Sequence, residues 1–520
     1  MNKIFCYGID HLTFHQAIEL ANGRLKGELS EEAIKNIQRS YHHVQRILEG
    51  QKAVYGVNTG FGPLCNVRIS ANDAVALQEN ILRSHSVGVG EAIADEIVLL
   101  MLVSKVHALA QGFSGVNPAT IERLMWHIEN KAIPLVPKQG SVGASGDLAP
   151  LSHLCLPLIG LGKVKYKGSW MNTSEMFHQT GLKPIQLSAK EGLALINGTQ
   201  FIVSHGVKVV EKMLNCLEAA DLIGAMSLEG LQGSAAPFEA RLHDIRPYHG
   251  TQLVAYRLRT LLEGSEIMED HKNCDRVQDP YSLRCMPPVH GASRNAWLHL
   301  KQLVEIELNS VTDNPLVFED GETVSGGNFH GQPLALPLDY AALAAHELGN
   351  ISERRTYLLL EGKFGLPKLL MRDTGLYSGF MIPQYTAAAL VSENKSLCFP
   401  ASADSIPTSL GQEDHVSMGS ISARKALQIV ENLEYILAIE LLCAAQAMDY
   451  RRPYRSGKVL DSCHELVRAH VSHAESDRIF AEDIQKLHQL ITSGLLVRTA
   501  NTTASQLGIS LHGRWTEFLA

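Results

Sequence analysis

The chain has 520 residues, 45% of them hydrophobic and 19% charged, a composition that excludes a disordered polymer and leaves room for a large core. A formal charge of −8 argues against a nucleic-acid-binding surface, which is normally basic. Nine cysteines without a CxxC pair fit reduced thiols better than a disulfide framework.

The first residues, "MNKIFCYGIDHLTFHQ", lack the apolar core and cleavage site of a signal peptide, so a cytoplasmic protein is expected. Up to about residue 200, helical stretches alternate with Gly- and Pro-rich turns. "GKVKYKGSW" (162–170) alternates Val164 and Tyr166 with lysines and predicts a short hairpin. "SAKEGLALI" carries a capping box, Ser188 and Glu191, which predicts a helix starting near Ala189. Beyond 200, long helical periods dominate. Val203, Val207, Val210, Leu214 and Leu217 step by four and three, as do Val430, Leu433, Leu437, Leu441, Ala444 and Met448. A helix carrying Trp297, Leu300, Val304 and Leu308 is expected over 292–310, stopped by "DNP" at 313–315. The longest apolar run, "YILAIELLCAAQAM", is broken by Glu440 and too short to span a bilayer. The expected fold is mainly α, a long helix bundle (201–520) with a smaller mixed α/β N-terminal portion (1–200).

One stretch resists an ordinary structural account. "GSVGASGDLAPLSH" (140–153) places Gly143, Ala144, Ser145 and Gly146 together just ahead of an apolar helix. Its GxxGxxG spacing is not the dinucleotide fingerprint, the GK[ST] ending of a P-loop is missing, and Asp147 would repel a phosphate. A nucleophile elbow GxSxG is not met around Ser145. "HELGN" at 346 and "HELVR" at 464 lack the second histidine of HExxH, so no metal is expected. What remains is chemistry of the backbone itself. Glycine tolerates φ values that let the Gly146 nitrogen approach the Ala144 carbonyl. Cyclisation with loss of two waters, one taking the serine hydroxyl, would leave a 4-methylideneimidazole-5-one ring, an electrophile needing no external cofactor. The unpaired amides of the following helix start would favour negative charge on it. Taken alone, Ala-Ser-Gly is more often a flexible turn with Asp147 capping the helix.

Other motifs change that balance. Together with "YGVNTGFG" (55–62), "EGLALINGTQ" (191–200), "QDPYSLRC" (278–285), "GGNFHG" (326–331) and "QEDHVSMG" (412–419), the stretch resembles the ammonia-lyases that carry this self-made ring. The resemblance covers nearly the whole chain, weakest before about residue 50 and after about 455. It implies a ring from Ala144, Ser145 and Gly146 that makes the substrate amine a better leaving group, and a homotetramer whose sites draw on more than one subunit. Tyr55 corresponds to a favoured base for the β-proton, with Glu413 as the other candidate. Arg284 would clamp the substrate carboxylate two-pronged. Asn197, Gln278 and Tyr281 would position the amino acid and support the ring, and Phe329 would line the pocket. Asn197 could equally end a helix in the αL conformation. His85 and Glu413, with Gln412 beside it, fit a site for an imidazole, which has one donor and one acceptor when neutral. Glu413 carries that reading, because phenylalanine- and tyrosine-directed relatives usually lack an acid there. The implied reaction converts L-histidine to trans-urocanate and ammonia. The alternatives are a lyase or aminomutase acting on tyrosine or phenylalanine, and a ring-less helical binding protein. Gly411 and Phe399 depart from the pattern, at positions where Asn or Ala, and His, are frequent.

Overall fold

The computed structural model describes all residues except 1–3, 51–53, 61, 63–68, 273–275 and 520. The expected mainly helical fold is present, with twenty α-helices and only short strands among the described residues. Two compact units divide the chain: 1–208 with 301–339 and 400–424, and 209–300 with 340–399 and 425–520.

The first unit is built around Asp95–Ala110, in which every residue from Ile97 onward is buried. A helix apolar on all sides can only be central. The polar members of its last turns, Ser104, Lys105 and His107, therefore need internal partners. Lys163–Tyr166 and Ser169–Asn172 form the expected antiparallel hairpin, Val164 opposite Met171, with Ile133–Pro134 as a third strand. Val164 and Tyr166 face inward against Met176 and Phe177. The hairpin leads into the helix Thr173–Thr180, and the helix expected from "SAKEGLALI" starts at Glu191 rather than Ala189. Half of the anticipated capping box forms, with Ser188 N donating to the Glu191 carboxylate at 2.6 Å. Lys190 between them sits at φ 70°, tethered by its ammonium to Asp313 (2.7 Å) and the Ser114 carbonyl (2.8 Å). That buried ion pair holds Lys190 out of helical geometry and delays the helix.

The anticipated seam over 203–217, which begins in the first unit, is buried except at the half-buried Leu214. Val430, Leu433, Leu437, Leu441, Ala444 and Met448 line one side of Gly419–Asp449. The helix around Trp297 runs Met286–Leu308, starting earlier than expected because Pro287 and Pro288 occupy its first turn, where proline has no N–H to lose. Trp297 donates to the Val210 carbonyl at 2.9 Å. Three buried carboxylates of the second unit are matched by guanidinium groups: Arg257 and Arg294 meet Glu218 and Asp221, and Arg355 meets Glu440. Removing one partner of such a pair leaves an uncompensated charge, at a cost of about 3–5 kcal/mol.

Candidate active site

The turn at 140–147 is shaped by contacts on two sides. Gly143 (φ 68°) and Gly146 (φ 77°) lie in the left-handed region. A Cβ at Gly143 would sit 2.3 Å from Ser417 Oγ, and one at Gly146 only 2.2 Å from the Gly198 carbonyl oxygen. Both positions therefore require glycine twice over, for conformation and for space. On one side Met418 N donates to the Val142 carbonyl (2.9 Å), Ser420 Oγ to the Ser141 carbonyl (2.6 Å) and Ser417 Oγ to the Gly143 carbonyl (3.2 Å). Ala144 packs there with Val416 and Met418. On the other side Asp147 N donates to the Gly198 carbonyl at 2.7 Å.

The helix that follows is Leu148–Cys155, and Asp147 does not cap it. Its carboxylate instead accepts from the backbone N–H groups of Phe201 and Ile202, both at 3.0 Å. It thus caps the helix Gln200–Gly230, satisfying two of that helix's orphan donors. Burial pushes the Asp147 carboxyl up to about 7.

Eight of the anticipated residues, Tyr55, His85, Ala144, Ser145, Asn197, Phe329, Gln412 and Glu413, line one cavity of about 1010 Å³ within the first unit. Asn197 Nδ2 donates to the Ser145 carbonyl at 2.7 Å, while its own carbonyl receives Lys105 Nζ at 2.9 Å. Asn197 ends Glu191–Ile196 in extended geometry (φ −87°, ψ 131°), not the αL conformation considered from sequence. Ser145 Oγ donates to Glu413 Oε1 at 2.6 Å. The other oxygen of Glu413 accepts from Thr408 Oγ1 (2.8 Å) and Ser409 Oγ (2.9 Å). His85 Nδ1 lies 3.0 Å from Ser84 Oγ; burial lowers its pKa, and the Glu413 charge opposes that shift. The ring is therefore held toward its neutral form, with one donor and one acceptor nitrogen. The Tyr55 phenol oxygen accepts from Gly62 N at 3.3 Å. Phe61, within the Tyr55 motif, lies outside the described residues.

Gln278, Tyr281 and Arg284 do not line this cavity and belong to the second unit. Tyr281 is 72% exposed, and the Arg284 guanidinium stacks over its ring at 4.7 Å. Their short helix, Tyr281–Arg284, is tied down through the Ser282 carbonyl, which accepts from Arg355 at 3.4 Å. Arg284 Nε is buried without a hydrogen-bond partner among the described residues, so the fork has a donor to spare. Of the two departures, Gly411 lies at φ 83° with open space around it, and Phe399 is exposed and not among the cavity's lining residues. Sequence reasoning missed Lys105, Thr408 and Ser409, whose roles depend on contacts with distant or strained backbone. No cluster of His, Cys, Asp and Glu among the described residues could hold a metal ion. Nor is any described helix long and apolar enough to cross a membrane.

The geometry also fits a ring formed from residues 144–146. Only glycine is admitted at 146, the Ser145 carbonyl is held by an amide, the Ser145 hydroxyl meets a carboxylate, and both Ala144 and Ser145 open on the cavity. Hydroxyl, amide, imidazole and carboxylate converging on one small-residue turn are the layout of an enzyme site. The chain belongs to the aromatic amino acid lyase family, whose model matches residues 12–469. It is similar to a protein named histidine ammonia-lyase from Natranaerobius thermophilus, 47% identical over 501 residues, covering 96% of this chain and 99% of that one. A human protein of the same name is 45% identical over 489 residues, 93% of this chain and 74% of its own length. Among solved structures, histidine ammonia-lyase from Trypanosoma cruzi superposes with a TM-score of 0.90 at 41% identity, covering 99% and 97% of the two chains. A tyrosine aminomutase from Streptomyces globisporus superposes with a TM-score of 0.90 at 36% identity, covering 96% and 98%.

Proposed function

We propose that this chain is a carbon–nitrogen lyase that eliminates ammonia from L-histidine to give trans-urocanate, using an electrophile made from its own Ala144, Ser145 and Gly146. The observation that carries the reading is the convergence of Glu413, His85 and Asn197 on the cavity into which Ser145 opens. When formed, the methylideneimidazolone supplies an electrophilic carbon that converts the substrate's amino group into a leaving group.

The chain's own residues do the rest. Glu413 and His85 present a carboxylate and a neutral imidazole to the substrate side chain, groups an imidazole can pair with and a phenyl ring cannot. Asn197, anchored by Lys105, holds the Ser145 carbonyl as charge develops beside it. Tyr55 takes the β-proton and Phe329 excludes water. Gln412 stands beside Glu413 at the cavity wall. Gln278, Tyr281 and Arg284 complete the site from a neighbouring copy in a homotetramer, Arg284 clamping the substrate carboxylate. Buried free thiols at Cys155, Cys216, Cys443 and Cys463 suit a cytoplasmic enzyme.

The Ser145→Ala variant tests the reading. The wild-type peptide containing 144–146 should be lighter than its sequence by two waters. The variant should fold, show the unmodified mass and lose nearly all turnover. Full activity in Ser145→Ala removes the case for a self-made electrophile.

A further inference from the structure

We propose that Glu413 also builds the site: its carboxyl is the proton donor for the dehydration that removes the Ser145 hydroxyl as the ring forms. The inference rests on the ring reading above. In the unreacted chain Ser145 Oγ donates to Glu413 Oε1 at 2.6 Å, and once that oxygen has taken a proton from water in the cavity the same short contact delivers it to Oγ. The carboxyl cannot swing away, because Thr408 and Ser409 both donate to its other oxygen, at 2.8 and 2.9 Å. The turn that brings those hydroxyls together is unusual. Ser409 (φ 51°) and Leu410 (φ 56°) both occupy the left-handed region, followed by Gly411 at 83°. L side chains seldom adopt that conformation, and two in succession persist only where the surroundings impose them. Here the Thr408 N–H bonds the Glu413 carbonyl at 2.9 Å and closes the turn onto the carboxylate. On the far side of the same serine, Asn197 Nδ2 pins the carbonyl at 2.7 Å. The Ser145 backbone and hydroxyl are thus held from both ends.

Hydroxide is a poor leaving group, so dehydration of serine needs a proton delivered to Oγ. In the step assigned here, the Ser145 Cα–H bond breaks and its electron pair becomes the Cα=Cβ bond. The Cβ–Oγ bond breaks at the same time. The departing oxygen keeps its hydrogen, takes one proton from the Glu413 carboxyl and leaves as water. The Cα proton passes to water in the cavity, from which the carboxylate is reprotonated. Cyclisation of the Gly146 nitrogen onto the Ala144 carbonyl releases the other water and involves neither Ser145 Oγ nor Glu413. Departure of the serine hydroxyl strips Oε1 of the partner it has in the unreacted chain. The same carboxylate oxygen then faces the cavity and is available to a substrate imidazole, so one residue serves two reactions in succession.

The test follows maturation by mass rather than by activity. Wild type, Glu413→Gln, Glu413→Ala and the double variant Thr408→Val/Ser409→Ala are made by cell-free synthesis. Samples are quenched at intervals, and folding is checked by circular dichroism. Wild type should lose two waters. Both Glu413 variants should accumulate a species one water lighter and complete the second loss at least about 100-fold more slowly, the usual worth of a positioned proton donor. The double variant, which keeps the carboxyl but not its clamps, should be slowed less. Loss of the second water at the wild-type rate in whichever of these variants folds overturns the proposal. A wild-type chain at its full sequence mass instead refutes the ring itself, and with it the function proposed above.

Discussion

Replacing Lys105 with Met asks whether the site is held from beneath, and the structure sets the expected size of the effect. Lys105 is buried, and its ammonium donates to the carbonyls of Ala194 (3.1 Å) and Asn197 (2.9 Å). Burial brings its pKa from 10.5 down to about 8, which at roughly 1.4 kcal/mol per unit makes the charged form cost about 3 kcal/mol. Methionine removes that cost and fills most of the same space. Against the gain stand two charge-assisted hydrogen bonds, each worth about 1.5–3 kcal/mol, whose carbonyls are left unpaired. The balance is a net loss of about 0–3 kcal/mol in stability, so the variant should fold. Its effect on the site should be larger. Without the ammonium, the backbone of Asn197 loses its anchor, and the amide that holds Ser145 can drift. A displacement of about 1 Å at a reacting centre can cost roughly 10²-fold in rate. Urea unfolding at pH 7 and kcat of the folded fraction at saturating L-histidine give the two numbers. An unchanged kcat beside a stability loss above about 3 kcal/mol would refute the positioning role and make Lys105 a structural residue.

Gly146→Ala places a Cβ 2.2 Å from the Gly198 oxygen and should abolish the two-water mass loss, whereas Gly181→Ala, at a similar φ of 74° but in open space, should cost only about 1–2 kcal/mol and leave the mass unchanged. His107, His127 and His205 are buried, and desolvation lowers each to about 4. A histidine whose folded pKa lies below its unfolded 6.5 contributes stability above pH 6.5 that is lost as the pH falls through 4. Each ring should therefore contribute a loss of up to about 3 kcal/mol between pH 6.5 and 4, opposed in the global profile by the buried carboxyls of Asp147 and Glu229, both raised to about 7; NMR titration of the three rings in the folded chain checks it, and a ring that protonates near 6.5 contradicts its burial in the neutral form. Arg284→Lys keeps the charge but loses the fork, so kcat/KM should fall by the equivalent of about 2–5 kcal/mol while the ring still forms. An unchanged kcat/KM assigns Arg284 to structure. Tyr55→Phe should slow turnover by roughly 10²–10⁴-fold with little change in KM; a defect confined to KM moves the base to Glu413.

How much was legible in the sequence depended on whether a signal was local. The hairpin at 163–172 and the seams through Val430 and Trp297 follow from the spacing of a few neighbouring residues, and the structure reproduces them. The turn at 140–146 was conspicuous because so many small residues adjoin an apolar helix. Where local signals misled, a distant group had intervened. Ser188 and Glu191 predicted a helix two residues too early, since nothing nearby marks the Lys190–Asp313 ion pair, which spans 123 positions. Asp147 read as the cap of its own helix, yet it caps one that begins 53 residues later, because the Gly146–Gly198 bridge brings that helix start beside it. Asn197 carries a side chain well suited to αL, but the pull of Lys105 on its carbonyl and of Ser145 on its amide keeps it extended. Thr408 and Ser409 had no signal at all, since their approach to Glu413 depends on a left-handed turn that propensity disfavours.

Elimination of ammonia from L-histidine is read out by incubating the purified chain with L-histidine, L-tyrosine and L-phenylalanine separately. Ammonia release and the absorbance of each unsaturated acid are followed in wild type, His85→Phe and Glu413→Gln. Wild type should form trans-urocanate and ammonia in equal amounts and prefer histidine by roughly 10⁴-fold in kcat/KM, as a site built on hydrogen bonds to an imidazole rejects analogues that lack them. Both variants, with rates expressed per chain that has lost both waters by mass, should narrow that gap by losing activity on histidine. A wild-type preference for tyrosine or phenylalanine, or no ammonia from any of the three, would overturn the assignment of L-histidine as substrate.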